Sequence, residues 1–423
     1  MANARKIAVD VLCEIIKNGA YSNLILSKYL TEDMSHTDKA FCSALVYGVL
    51  DRKITIDYCI KQYLTKPIST IPPITVSAMR TAVFQMLFMD KIPDSAAVNE
   101  SVNIIKFSKE RFYSGFANAV LRNILRGGFE YPQGNSANAL SVRYSCPTYI
   151  IDSFINDYGT DTAIKLLESF LKVNNVVLRV NNLKTDKESL YENLTDNGLN
   201  VEFTKYENAL EISGGIDIAN NTAYKNGLFH IENYASQFAL EKLCPKSGER
   251  VADMCAAPGG KTFTMAQMMN NNGKILAFDL HEKRVNLIKK GAQRLGISII
   301  DARVGDATLY NPDLGLFDAV LCDVPCSGFG VIGKKPEIKY KKNEIFSMLE
   351  DIQQSILENA SRYVDENGRI MYSTCTLRKA ENEAQVKHFL DKHADYELKY
   401  EHTFMPHIDE TDGFYCALMV KSR

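Results

Sequence analysis

Residues 253–261 read Asp-Met-Cys-Ala-Ala-Pro-Gly-Gly-Lys (DMCAAPGGK), and they decide the fold. The apolar run Arg250-Val251-Ala252 before them reads as a strand, and Thr262-Phe263-Thr264-Met265-Ala266 after them as a helix start. A strand, a turn with two consecutive glycines and a helix N-terminus make a ligand cradle. Gly259 and Gly260 allow close backbone approach, and the first turn of the helix offers unpaired N–H groups. The turn is neither a P-loop nor GxGxxG, which disfavours a nucleoside triphosphate.

Working outward on the C-terminal side, strand patterns at 274–279, 298–306, 317–325, 368–376 and 413–421 alternate with helical ones at 261–269, 282–295, 343–364 and 380–394. Such alternation predicts an α/β, Rossmann-like domain over 231–423, with a mostly parallel sheet and its ligand at the carboxyl ends of the strands. Asp279 ends the second strand, 20 residues after Gly259, where a carboxylate can accept hydrogen bonds from a ribose diol. Asp306 ends the third, within reach of an adenine amino group. Either acid alone reads as a helix cap. Successive strand ends favour a nucleoside-type cofactor.

The fourth strand ends in DVPCSG, carrying Asp323 and Cys326, and the fifth in STCT, carrying Cys375. If these strands are neighbours, two thiols share one mouth beside the cofactor. A lone cysteine is usually a small buried hydrophobe. Two at adjacent strand ends suggest nucleophilic chemistry. Pyrimidine C5 is too poor a nucleophile to take a methyl group unaided. Thiolate attack at C6 turns the ring into an enamine that C5 alkylation can follow, and an acid at N3, the place of Asp323, stabilises the charge.

On the N-terminal side, residues 1–130 read as all helical: Ile7, Val11 and Ile15 form one stripe, and Pro72-Pro73 precedes a strongly apolar helix. Arg122 and Arg126 share a face of the last helix there, as solvated charges or phosphate contacts. Residues 131–141 read as a Gly/Asn/Ser-rich linker and 142–230 as a small α+β insert.

The 423 residues suit two or three domains, and 46% hydrophobic with 24% charged residues is the composition of a soluble globular protein. The net charge of −2 argues against indiscriminate coating of nucleic acid, while residues 1–130 hold 16 Lys+Arg against 12 Asp+Glu. No signal peptide or membrane span is read, and the ten cysteines form no CxxC pair, so a cytoplasmic protein without a metal site is expected.

DMCAAPGGK, AFD, GDA, DVPCSGFG and STCT, in this order, resemble the RNA 5-methylcytosine methyltransferases that use S-adenosylmethionine. The resemblance implies Cys375 as nucleophile and Cys326 as the residue that helps resolve the covalent adduct. It also implies a cofactor site of Cys255, Ala256, Ala257, Pro258, Gly259, Gly260 and Lys261 with Asp279, Arg284, Asp306 and Asp323. TDKAFCSALVYGVLDR, RTAVFQMLFMDKIPDSAAVNESV and GFANAVLRNILR resemble the NusB-like RNA-binding domain. That fusion is similar to the bacterial RsmB/Sun subgroup and implies one cytosine of 16S rRNA as substrate; a monomer is expected. The same chemistry on tRNA or 23S rRNA, and a non-enzymatic RNA-binding assembly factor, are the alternatives. Two departures stand out: Val324 replaces the usual alanine after Asp323, and Gly333 stands where relatives often carry arginine. Phosphate contacts would then fall to Lys334, Lys335, Lys339, Lys341 and Lys342, unless that run is a solvated loop.

Overall fold

The computed structural model describes the chain except residues 1–2, 19–21, 32–33, 173–174, 215–216, 219, 342–344 and 423. It divides into two compact units: Met1–Leu171 with Lys335–Lys341, and Lys172–Lys334 with Lys342–Arg423.

The first unit is helical, beginning with Ala4–Asn18, Ser22–Tyr29, His36–Lys61, Pro73–Phe88, Asp94–Lys106 and Ser114–Gly127. Pro73 occupies the first turn of the central helix, where its missing N–H costs nothing. Every residue of that helix from Thr75 to Gln85 is buried. Arg80 within it is satisfied by a two-pronged pair with Asp57, at 2.7 and 2.9 Å. Phe84 lies against Gly48, where any β-carbon would overlap the ring.

The expected linker is partly helical, because Ser136 accepts a hydrogen bond from the Ala139 amide and starts the helix Ala137–Tyr144. The expected insert 142–230 spans the boundary between the two units. Its helices Thr148–Tyr158 and Thr160–Ser169 belong to the first unit and its strands to the second. The physical reason lies in hydrogen bonds to the helix His36–Lys61: the Thr55 hydroxyl donates to the Val142 carbonyl, and the Ile54 amide to the Ser145 hydroxyl.

The second unit holds two sheets. β1 (Val176–Val180), β2 (Asn200–Phe203), β3 (Ala209–Ser213) and β4 (Phe229–Ile231) form an antiparallel sheet in the order β2-β3-β1-β4. Asn181 binds it to the larger body by donating to the Gly227 and Leu295 carbonyls, at 2.7 and 2.9 Å. The larger sheet contains β5 (Arg250–Asp253), β6 (Lys274–Asp279), β7 (Ile300–Val304), β8 (Phe317–Asp323), β9 (Val364–Thr374), β10 (Tyr396–Phe404) and β11 (Phe414–Lys421). Its order is β10-β11-β9-β8-β5-β6-β7. β5 to β9 run parallel, while β11 is antiparallel to β9 and to β10.

β10 escapes a sequence reading because Glu397, Lys399 and Glu401 interrupt its apolar residues; such charges suit an edge strand. The helices after β5 and β8 leave in opposite directions along the sheet, so the topological switch lies between these two strands, where open α/β sheets bind ligands. Among the described residues no helix is long and apolar enough to cross a membrane.

Candidate active site

The cradle forms where β5 ends. Gly259 takes φ 114°, a left-handed value that side chains resist, and the helix Gly260–Met268 begins at once. The Phe263 ring fills the space where β-carbons on Gly259 and Gly291 would fall. Although the turn closes with Gly260-Lys261-Thr262, Cys255 stands where a P-loop has its first glycine. Thr262 is buried, donating to Asp253 at 2.7 Å.

Arg284 spans the turn and the next strand end: its guanidinium donates to the Ala257 carbonyl at 2.7 Å and pairs with Asp279 at 3.2 Å. Asp279 is buried and also accepts the His281 amide, at 3.0 Å. Asp306 is exposed, and one of its oxygens accepts the Thr308 amide and hydroxyl at 2.9 and 2.7 Å. Asp279 closes β6 as expected, while Asp306 lies two residues beyond the end of β7.

A cleft of about 200 Å³ opens between the ends of β5 and β8, lined by Glu232, Asp253, Gly260, Lys261 and Asp323 among others. Lys261 donates to Asp323 at 2.9 Å, and Ser373 donates to the other Asp323 oxygen at 2.9 Å. Burial works against the Lys261 charge, but Asp323 and Glu232 outweigh it and raise its pKa.

Asp253 is fully buried, and desolvation, reinforced by Asp323, pushes its carboxyl up to about 7. A carboxyl whose folded pKa exceeds its unfolded one binds a proton on folding. Its contribution to stability is complete below the ordinary value of 3.8 and is lost as pH rises through about 7. Asp253→Asn keeps an acceptor for Thr262 and cannot ionise. The substitution should raise the ligand-free melting temperature most at pH 8 and flatten its decline between pH 5 and 8. An unchanged pH slope in thermal melts would contradict this account of Asp253.

The two thiols meet. β8 and β9 pair in parallel with Asp323 opposite Ser373, and beyond them Cys326 and Cys375 stand with their sulfurs 3.3 Å apart. The hydrogen bond with Cys375, together with burial, raises the Cys326 pKa well above that of a free thiol. The Lys261 ammonium interacts electrostatically with Cys375, a fixed positive charge near that sulfur. Cys255 is raised by burial, in keeping with a wall rather than a nucleophile.

One buried acid ties the two thiol-bearing turns together. Glu381 accepts the Ser327 amide at 2.8 Å, the Gln353 amide at 2.9 Å and the Arg378 guanidinium at 2.8 Å. Ser327 and Thr376 bond at 2.6 Å, and the Gly330 amide donates to the Cys375 carbonyl at 3.0 Å. Gly330 must be glycine, since a β-carbon there would strike the Gly413 backbone.

The basic residues fare unevenly. Arg122 and Arg126 are exposed on one face of their helix. Lys335 is exposed, and Lys334 pairs with Asp412 at 2.9 Å. Lys339, expected as a phosphate contact, is corrected: it is buried and paired with Asp51 at 2.7 Å. The 3₁₀ turn Pro336–Tyr340 directs it inward, while the Tyr340 hydroxyl donates to the Leu50 carbonyl. Lys341 is half-buried, and Lys342 lies outside the described residues. Glu232, Ser373 and Glu381 were not anticipated; each matters through partners remote in sequence.

Comparison with known proteins agrees with this arrangement. Residues 240–420 match the profile described as 16S rRNA methyltransferase RsmB/F, 2–126 match the NusB family, and 146–219 match an RsmF/B-like ferredoxin-like domain. A Bacillus subtilis (strain 168) protein named "Probable ribosomal RNA small subunit methyltransferase B" is 35% identical over 99% of both chains. The chain belongs to the RsmB/F methyltransferase family. A Synechocystis RsmB/F relative of the same printed name is 30% identical over 100% of each chain. A crystal structure of a methyltransferase homologue from Pyrococcus horikoshii matches 68% of this RsmB/F chain and 100% of its own, at TM-score 0.61 and 27% identity. The NusB N-terminal domain, the ferredoxin-like insert and the Rossmann-like methyltransferase domain are those of the family.

Proposed function

We propose that the chain methylates C5 of one cytosine in 16S rRNA, with S-adenosylmethionine as cofactor and Cys375 as covalent nucleophile. The observation that carries this reading is the pairing of Cys326 and Cys375 at 3.3 Å, at strand ends adjoining the Lys261–Asp323 pair. The residues present fit the cofactor: a Gly-rich turn into a helix N-terminus, a buried acid on β6, an exposed one after β7, and a charged cleft at the switch point. The turn from Cys255 to Lys261 would hold the amino-acid end, and Asp279, oriented by Arg284, the ribose. When bound, the cofactor supplies an electrophilic methyl group.

The chain's own residues do the rest. Cys375 forms a bond from its sulfur to C6, and the electron pair displaced from the C5–C6 double bond moves through the ring toward N3. The thiol proton is delivered to N3, where the Asp323 carboxylate accepts its hydrogen bond; Lys261 and Ser373 hold that carboxylate in place. After methylation, loss of the C5 proton restores the double bond as the sulfur–C6 bond breaks. Cys326, 3.3 Å from that sulfur, is placed as the base for that step once its own proton has passed to solvent; its thiolate takes the C5 proton, and the N3 proton returns to the released Cys375 sulfur. The target cytosine must leave its stack to reach a sulfur in this recess. Arg122, Arg126, Lys334 and Lys335 are the proposed phosphate contacts.

Incubation of the protein with 16S rRNA fragments and labelled cofactor, then mapping of the modified base, tests the reading. Label at C5 of one cytosine is expected. Transfer to tRNA or 23S rRNA alone would overturn the substrate, and absence of transfer to any RNA would overturn the activity.

A further inference from the structure

Glu232 directly follows β4 and is only 6% exposed. One carboxylate oxygen, Oε2, accepts the Thr264 hydroxyl and lies 3.7 Å from His230 Nε2. The other, Oε1, is enclosed, yet among the described residues it has no hydrogen-bond partner. An unpaired buried carboxylate oxygen costs free energy, and a native fold tolerates one where a ligand completes it.

Its surroundings define that ligand. A β-carbon added to Gly260 would stand 3.7 Å from Oε1, so this oxygen faces the first residue of the helix that closes the cradle. Among the described residues lining the cleft, Lys261 is the one cation, and it is committed to Asp323. Against it stand the carboxylates of Glu232 and Asp323, so the cleft lacks positive charge. Burial works to raise the Glu232 pKa, but His230, Thr264 and Lys261 outweigh it, and the group is held as a carboxylate. A helix N-terminus beside an unpaired carboxylate suits the two ends of a zwitterionic amino acid.

We propose that Glu232 Oε1 is the acceptor for the α-ammonium group of the cofactor's amino-acid moiety, which makes Glu232 a specificity-determining binding residue. This inference rests on the cofactor proposed above. It implies that the site distinguishes ligands by that amino group, apart from any contact to adenine or ribose.

Calorimetric titration of the full chain with S-adenosylhomocysteine, and with its analogue lacking the α-amino group, tests it. Glu232→Gln is isosteric and should weaken S-adenosylhomocysteine roughly tenfold, the difference between a charge-assisted and a neutral hydrogen bond. Its affinity for the des-amino analogue should stay within about twofold of the parent's. Gly260→Ala, which intrudes on the space before Oε1 at ordinary contact distance, should reduce the preference for the amino ligand in the same direction. An equal loss for both ligands in Glu232→Gln, or no loss, would overturn the assignment while leaving the cofactor reading intact. Failure of the parent chain to bind either ligand would overturn both.

Discussion

Replacing Cys326 with alanine is expected to leave the protein covalently attached to its RNA. Cys375 would still add to C6 and the methyl group would still transfer, but the base for the C5 proton would be gone. The complex should survive denaturation and migrate as a retarded band carrying label from both RNA and methyl donor. Cys375→Ala should give no such band and lose roughly ten-thousand-fold or more in turnover, the scale seen when a covalent nucleophile is removed. It should still bind S-adenosylhomocysteine, because the cofactor contacts proposed above do not involve its sulfur. The two variants must therefore diverge. If Cys326→Ala loses turnover without forming an adduct while Cys375→Ala yields the adduct, the roles are reversed; if both turn over, neither thiol is the nucleophile.

The second large effect lies outside the reacting groups. Glu381 is fully buried and accepts hydrogen bonds from Ser327, Gln353 and Arg378, so it fixes the turn after β8 to the turn after β9. Without it Arg378 keeps its pair with Glu350 at 2.9 Å, but the Ser327 and Gln353 donors are left buried and unpaired, at about 1–3 kcal/mol each. Glu381→Ala should accordingly lower the melting temperature by roughly 10 °C. Turnover should fall further than the loss of folded protein explains, because the two sulfurs would no longer be held together. Partial rescue by Glu381→Gln, which keeps acceptors for Ser327 and Gln353 but not the ion pair, separates positioning from charge. A melting temperature and turnover equal to the parent's would remove Glu381 from this role.

Much of the fold and the cradle is legible in the chain because the signals are local. Gly259, Asp279 and Cys375 each sit at a junction announced by a change from strand to helix pattern. Glu381 and Glu232 carry no such mark: Glu381 reads as a surface acid in a charged helix start, and Glu232 as a polar residue between elements. Their importance comes from burial against Ser327 in one case and Thr264 in the other, 54 and 32 residues away. Lys339 fails in the opposite sense. Set among Lys334, Lys335 and Lys341 it looks solvated, and only a partner 288 residues distant shows otherwise. β10 is missed because edge strands are polar by necessity.

That distant partner bears on assembly during synthesis. Residues 335–341 emerge from the ribosome after nearly four-fifths of the polypeptide, yet they belong to the same compact unit as residues 1–171. The N-terminal helices can condense early on their local contacts, but Asp51 and the Leu50 carbonyl wait for Lys339 and Tyr340. The first part to be made is thus among the last to be finished, and a fragment ending at residue 171 is a body with one piece withheld.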